Sequence, residues 1–133
     1  MIEWSDKYSV GISKIDEEHK KLIGIINKAV AASRHKDNSR EILGILREMS
    51  DFAQTHFTTE ETYMLESGYS DYEQHKKEHR DFTIETIAFL DDAGKGDSKL
   101  VYEILEHLKV WFVSHIQGTD RGYIDCFKKH GLV

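Results

Sequence analysis

Seven residues of this chain are of types and at spacings that could build one metal centre: His19, His56, Glu60, His75, His79, His115 and Asp120. His56 and Glu60 sit four apart in His56-Phe57-Thr58-Thr59-Glu60-Glu61, and His75 and His79 four apart in His75-Lys76-Lys77-Glu78-His79. On a helix, residues four apart lie about 40° apart around the axis, so each pair shares one face. Two imidazoles so spaced can chelate one ion. His19 stands in Ile15-Asp16-Glu17-Glu18-His19, and His115 is followed five residues later by Asp120. Seven donors are too many for one four-coordinate zinc ion. They suit two six-coordinate ions that share the two carboxylates as bridges. Imidazole suits iron, zinc, copper or nickel, and shared carboxylates favour a harder, redox-active pair such as iron. Two iron(II) ions outweigh two carboxylates in charge, so a bridging hydroxide or oxide is expected to complete the balance.

Taken singly, each motif has a plainer reading. His56 and Glu60 could be an exposed pair, and His75 and His79 flank a charged run, Lys76-Lys77-Glu78. His115 lies among Trp111, Phe112 and Ile116, where a buried histidine needs a partner. The five-residue step from His115 to Asp120 would turn the two side chains apart in a regular helix. A local break or widening near Gly118 would bring the carboxylate back. His35, His107 and His130 have no matching partner and are read as non-ligands. Glu61 is read as a group behind the donors or at the surface, Cys126 as a small buried hydrophobe, and Tyr123 as a hydrogen-bonding neighbour of the site.

The elements that must position these residues follow from apolar periodicity. Long helices are predicted over about residues 16–35, 39–66, 72–91 and 98–116, with a short fifth over about 119–129. Ser39 is a candidate cap, and Ser67-Gly68 a stop. On the third helix Phe82, Ile84, Ile87, Ala88 and Leu90 are the apolar positions. Residues up to Ser13 read as an extended arm packed on the bundle. The predicted fold is all-α: an antiparallel up-down-up-down four-helix bundle with an N-terminal arm and a short C-terminal helix, one domain over residues 1–133. In such a bundle one layer meets successive helices at alternate ends. His19 is early on its helix, His56 late, His75 early and His115 late, so one layer can collect all four helices.

Composition narrows the function classes. The chain has 133 residues, enough for a real core without staples. Its formal charge of −6 argues against a nucleic-acid binder. No apolar run approaches a membrane span, so no membrane insertion is expected. The opening residues carry no leader-like pattern, and the single cysteine, Cys126, fits a reducing setting, so a cytoplasmic location is expected. There is no proline to interrupt a helix.

The chain resembles the hemerythrin family in its single-domain bacterial type, the bacteriohemerythrins. The resemblance rests on Ile15-Asp16-Glu17-Glu18-His19 with Leu22, on the His56 motif with Met64, and on the His75 motif with Phe82. It continues through Trp111-Phe112-Val113-Ser114-His115-Ile116 with Asp120, and Trp4 and Tyr8-Ser9-Val10-Gly11 match the family's opening. It implies a non-haem di-iron centre. His75, His79 and His115 would bind one iron, His19 and His56 the other, with Glu60 and Asp120 bridging beside an oxo or hydroxo group. The second iron would keep an open position for dioxygen, bound reversibly as hydroperoxide, for storage, delivery or sensing. Leu22, Phe57, Trp111, Phe112 and Ile116 would line the oxygen pocket. Phe112 stands where many relatives carry Leu, a departure on which oxygen affinity and autoxidation turn. The expected partners are dioxygen and an oxygen-consuming protein, and the expected state is a monomer without enzyme activity. The alternative is a di-iron oxidase, peroxidase or nitric-oxide-handling enzyme on the same site.

Overall fold

The computed structural model describes residues 2–95 and 99–132. Within them the chain is helical: α1 (Ser13–Ala32), α2 (Ser39–Ser67), α3 (Tyr72–Ala93), α4 (Leu100–Trp111) and α5 (Ile124–Lys129). α1 packs on α2, α2 on α3, α3 on α4 and α4 on α1, which closes the four-helix ring. No helix among the described residues is long and apolar enough to cross a membrane. The predicted fourth-helix start at Ser98, and Gly96-Asp97 of the loop before it, lie outside the described residues.

Each helix presents an apolar stripe inward. Ile15, Leu22, Ile26 and Ala29 of α1 are fully buried, as are Leu46, Met49 and Met64 of α2. Burial of this kind contributes about 25 cal/mol per Å² of apolar surface and carries the fold. On α3 the buried set is His75, His79, Phe82, Thr86 and Phe89. This corrects the expected apolar face: Ile84 and Ile87 are 58% and 54% exposed. The steps from 75 to 79, 82, 86 and 89 follow one helix face, and 84 and 87 fall off it.

Local chemistry moves several boundaries. α1 starts at Ser13 rather than near Asp16, because the Asp16 carboxylate accepts the Val10 N–H (2.8 Å) and the Ser9 hydroxyl, tying the arm to the first turn. It ends at Ala32, where the Asn38 amide donates to the Ala32 carbonyl (3.2 Å). His35 therefore lies in the turn, 2.7 Å from Glu41. Ser39 is the first residue of α2 and Asn38 its cap position, so the predicted Ser39 cap is not formed. Gly68 ends α2 in the left-handed conformation, at φ +66°.

Two further departures matter for the site. α4 stops at Trp111, and Phe112–Ile116 is a π-helical turn, with the Gln117 N–H donating to the Phe112 carbonyl. The predicted fifth helix is split into a 3-10 turn, Thr119–Arg121, and α5. The arm is extended apart from one 3-10 turn, Asp6–Tyr8.

Candidate metal centre

α1, α2, α3 and the π and 3-10 turns that follow α4 bring all seven predicted residues to one buried layer. His19, His56, Glu60, His115 and Asp120 are fully buried, and His75 and His79 are 1% and 2% exposed. Their donor atoms form two groups, each within 4.8 Å: His75, His79, His115, Glu60 and Asp120, and His19, His56, Glu60 and Asp120. The two carboxylates belong to both.

Asp120 straddles the groups. Its Oδ1 lies 2.9 Å from Nε2 of His75 and of His115, while its Oδ2 lies 3.0 Å from Nε2 of His19 and 3.6 Å from that of His56. Glu60 Oε1 lies 3.1 Å from His56 Nε2 and 3.0 Å from His79 Nε2. The π turn is what delivers Asp120. It widens the chain up to Ile116, and the break at Gly118 (φ −112°, ψ −83°) with the 3-10 turn Thr119–Arg121 completes the step from His115 to Asp120. The widening spans Phe112–Ile116, just before Gly118 rather than at it. Gly118 is nevertheless required: a Cβ there would sit 2.4 Å from the Ser114 carbonyl oxygen.

These donors fit a metal. Nε2 of His56, His75 and His115, Oε2 of Glu60 and Oδ1 of Asp120 are buried without a hydrogen bond. Carboxylate oxygens stand 2.9–3.8 Å from the three nitrogens, yet none has hydrogen-bond direction. Close approach without that direction is what lone pairs aimed at a shared point produce, and buried polar atoms seldom go unpartnered.

Outside the donors, three imidazoles are fixed by carboxylates that accept from Nδ1. Glu18 holds His56 at 2.9 Å, Glu61 holds His79 at 2.9 Å, and Glu78 holds His115 at 3.1 Å. Such partners set the tautomer and leave Nε2 free to bind. Glu18 also accepts from Thr59 (2.8 Å) and Glu78 from Thr119 (2.9 Å), so Glu78 ties α3 to the segment carrying Asp120. Glu18, Thr59, Glu78 and Thr119 were not singled out from the sequence. Glu18 and Glu78 each stand immediately before a histidine in a charged run, where nothing separates them from solvated neighbours. His19 and His75 lack such a carboxylate. His19 lies edge-on to His56 (4.8 Å), and His75 stacks on Tyr123 (5.6 Å).

Aromatic rings hold the layer from the side. Phe57 stacks on His79 at 3.9 Å and Trp111 on His115 at 3.8 Å. Leu22, Phe57, Trp111, Phe112 and Ile116 are all buried in the main core cluster. The Tyr123 hydroxyl is buried without a hydrogen-bond partner, contrary to expectation. Burial, reinforced by the Asp120 and Glu60 charges, pushes its pKa well up, so it stays protonated. His107 packs between Phe82 and Phe89, away from the donors. Cys126 is half-buried rather than buried, with Sγ 3.6 Å from the Ser67 carbonyl.

The family profile described as "Hemerythrin HHE cation binding domain" matches residues 10–127. The chain belongs to the hemerythrin family. It is 34% identical to the bacteriohemerythrin of Clostridium acetobutylicum over 129 residues, covering 94% of this chain and 100% of that one. A crystal structure of a leucine-to-phenylalanine mutant is 25% identical, with a TM-score of 0.81 over 96% of this chain and 97% of that one. A wild-type hemerythrin structure, 21% identical with a TM-score of 0.77 over 96% and 98%, shares the fold. Hemerythrin membership and the buried His/Glu/Asp cluster together fit an oxygen-binding protein with a metal centre.

The charges of this hemerythrin layer predict how the metal-free chain responds to pH. Burial pushes the His56 and His115 imidazoles down, but the charges of Glu60 and Asp120 respectively, with neighbouring carboxylates, outweigh it and hold both well above 6.5. His75 is raised to about 9, where the carboxylates Asp120 and Glu60 again overcome burial. Glu60 and Asp120 are held well below 4.5 and 3.8, the surrounding imidazoles overcoming burial and, at Asp120, the like charge of Glu60 as well. Raised imidazoles contribute stability that is complete below 6.5 and lost as pH rises toward about 9. Depressed carboxylates contribute stability that is present above their ordinary values and lost on acidification. Thermal unfolding of the metal-free chain should therefore give a highest Tm between about pH 4.5 and 6.5, falling steadily to pH 9. A Tm that is flat or rises over that range would contradict the assignment.

Proposed function

We propose that this hemerythrin is a non-haem di-iron protein that binds dioxygen reversibly, with His75, His79 and His115 on one iron, His19 and His56 on the other, and Glu60 and Asp120 shared. The observation that carries the reading is the split of Asp120, one oxygen toward His75 and His115 and the other toward His19 and His56. Held by these residues, an iron pair would supply the two electrons of reversible dioxygen binding.

The chain's own residues account for the asymmetry. His75, His79 and His115 with Glu60 and Asp120 would offer one metal three imidazoles and two carboxylates. His19 and His56 with the same two carboxylates would offer the other metal one imidazole fewer, the side on which a small ligand would enter. Neutral imidazoles as the only unshared donors disfavour the high-valent iron that oxygenase chemistry needs, so we read a binding protein rather than an oxidase. Glu18 holds His56 Nδ1, so that Nε2 would stay unprotonated toward a metal. Leu22, Phe57, Trp111, Phe112 and Ile116 exclude water and keep protons from the bound ligand. The proposed cellular roles are storage, delivery to an oxygen-consuming partner, or sensing, by a monomeric single domain in the cytoplasm.

The test is a visible spectrum through one gas cycle. The iron-loaded chain is reduced without air, exposed to oxygen, then purged. A band that appears and disappears supports reversible binding; one that decays at once to the oxidised form points to oxidase chemistry. Phe112→Leu trades a buried ring for a smaller side chain in the pocket wall. It should speed oxygen release and air oxidation by roughly threefold to tenfold, read by stopped flow. Unchanged rates would remove Phe112 from the pocket.

A further inference from the structure

The N-terminal arm is more than packing. It is tied at its start, where Ile2 and the Asn27 side chain exchange two hydrogen bonds, Ile2 N–H to Oδ1 (2.9 Å) and Nδ2–H to the Ile2 carbonyl (2.8 Å). It is tied again near its end by Asp16 to Ser9 and Val10, and by the Arg121 guanidinium to the Lys7 carbonyl. Between these ties the 3-10 turn Asp6–Tyr8 buries no residue fully. What crosses from this turn into the protein is a ladder of rings. Lys20 Nζ sits 5.2 Å over Trp4, Trp4 meets Tyr8 edge-on at 5.9 Å, and Tyr8 meets Phe112 edge-on at 5.1 Å. Phe112 opens the π turn three residues before His115, and Arg121 adjoins Asp120. The arm thus touches both sides of the segment that carries the fourth helix's donors.

We propose that Tyr8, backed by Trp4, is a specificity-determining residue: the arm is the outer seal of the pocket, holding the Phe112 ring in place and setting which small molecules reach the metal centre and how fast. This rests on the proposed pocket, but it concerns access and not the bound ligand. Edge-on ring contacts are short-range and weak, so they hold the strap closed and still let it part. Loosening either the ring or the tether should admit solutes by local opening, without global unfolding.

Trp111, 7% exposed and stacked on His115, is a built-in reporter of access. The chain has two tryptophans, so a Trp4→Phe parent isolates Trp111 and keeps a ring in the ladder. The full chain is loaded with zinc, which is diamagnetic, and quenched with dissolved oxygen and with acrylamide well below its Tm. Tyr8→Ala and Asn27→Ala should each raise the quenching constant by about fivefold, with acrylamide gaining more than oxygen, and Tyr8→Phe should not. Asn27 bonds only the far end of the arm, so its effect cannot come from a hole beside Phe112. Oxygen release from the oxygenated iron form should accelerate in the same two variants. Unchanged quenching in both would overturn the seal, whatever the iron form does. An increase in Tyr8→Ala alone would also overturn it, reducing the ring to a space filler. Raised quenching in both variants, in a chain that takes no oxygen, would keep the seal and refute the proposed function.

Discussion

Gly118→Ala will lose both the metal and much of the stability. A Cβ at 118 would lie 2.4 Å from the Ser114 carbonyl oxygen, which is backbone in the π turn and has no rotamer to escape into. The turn must shift, and with it both His115 within it and Asp120, two residues after Gly118. Strain of this kind in a buried turn costs roughly 3 kcal/mol or more. For a chain of this size that is a fall in Tm of roughly 10 °C. Metal analysis should find less than one ion per chain. Gly24→Ala is the matched control. Gly24 lies in the middle of α1, and a Cβ there meets nothing within 4 Å. An open helical position gains by this change, so Gly24→Ala should be neutral or stabilising by up to about 1 kcal/mol, with metal content intact. Equal behaviour of the two variants would mean that the π turn does not position the centre.

Asp120→Asn should be the most damaging change among the donors. It preserves shape and removes the one carboxylate whose two oxygens face different histidine sets. The metal-loaded chain should hold at most one ion and show no oxygen-dependent band. The metal-free chain should weaken too, because His115 would stay buried with its principal counter-charge gone. Breaking one side of a buried ion pair costs about 3–5 kcal/mol. Chemical denaturation of the metal-free variant at pH 6 checks this separately from metal loss. Wild-type stability there would show that Asp120 does not neutralise the cluster.

The helices and the layer of donors were legible because they rest on strong local signals. Pairs four apart on α2 and α3, and the alternation of early and late positions, are properties of helical geometry that survive folding. The π turn was legible only as a demand: His115 and Asp120 could not meet in a regular helix, but nothing in Phe112-Val113-Ser114-His115-Ile116 says where the extra winding falls. Glu18 and Glu78 were hidden by their neighbours. Glu78 in Lys76-Lys77-Glu78 reads like any solvated acid, and only the approach of His115 and Thr119 from far along the chain gives it a role. Ile84 and Ile87 misled for the opposite reason. Apolar side chains suggest an inward face, whereas α3 turns His75, His79 and Thr86 inward: His79 meets Glu60 and Glu61 of α2, and Thr86 donates to the Phe82 carbonyl of its own helix. Boundaries slipped where a side chain, Asp16 or Asn38, captured backbone outside its own helix.

Anaerobic titration of the metal-free chain with iron(II), counting bound ions by elemental analysis after desalting, addresses the shared site most directly. Two sets of donors that share Glu60 and Asp120 predict two ions per wild-type chain and a drop to one or none in Asp120→Asn. A wild-type chain that saturates at one ion, or an Asp120→Asn chain that still holds two, would contradict it.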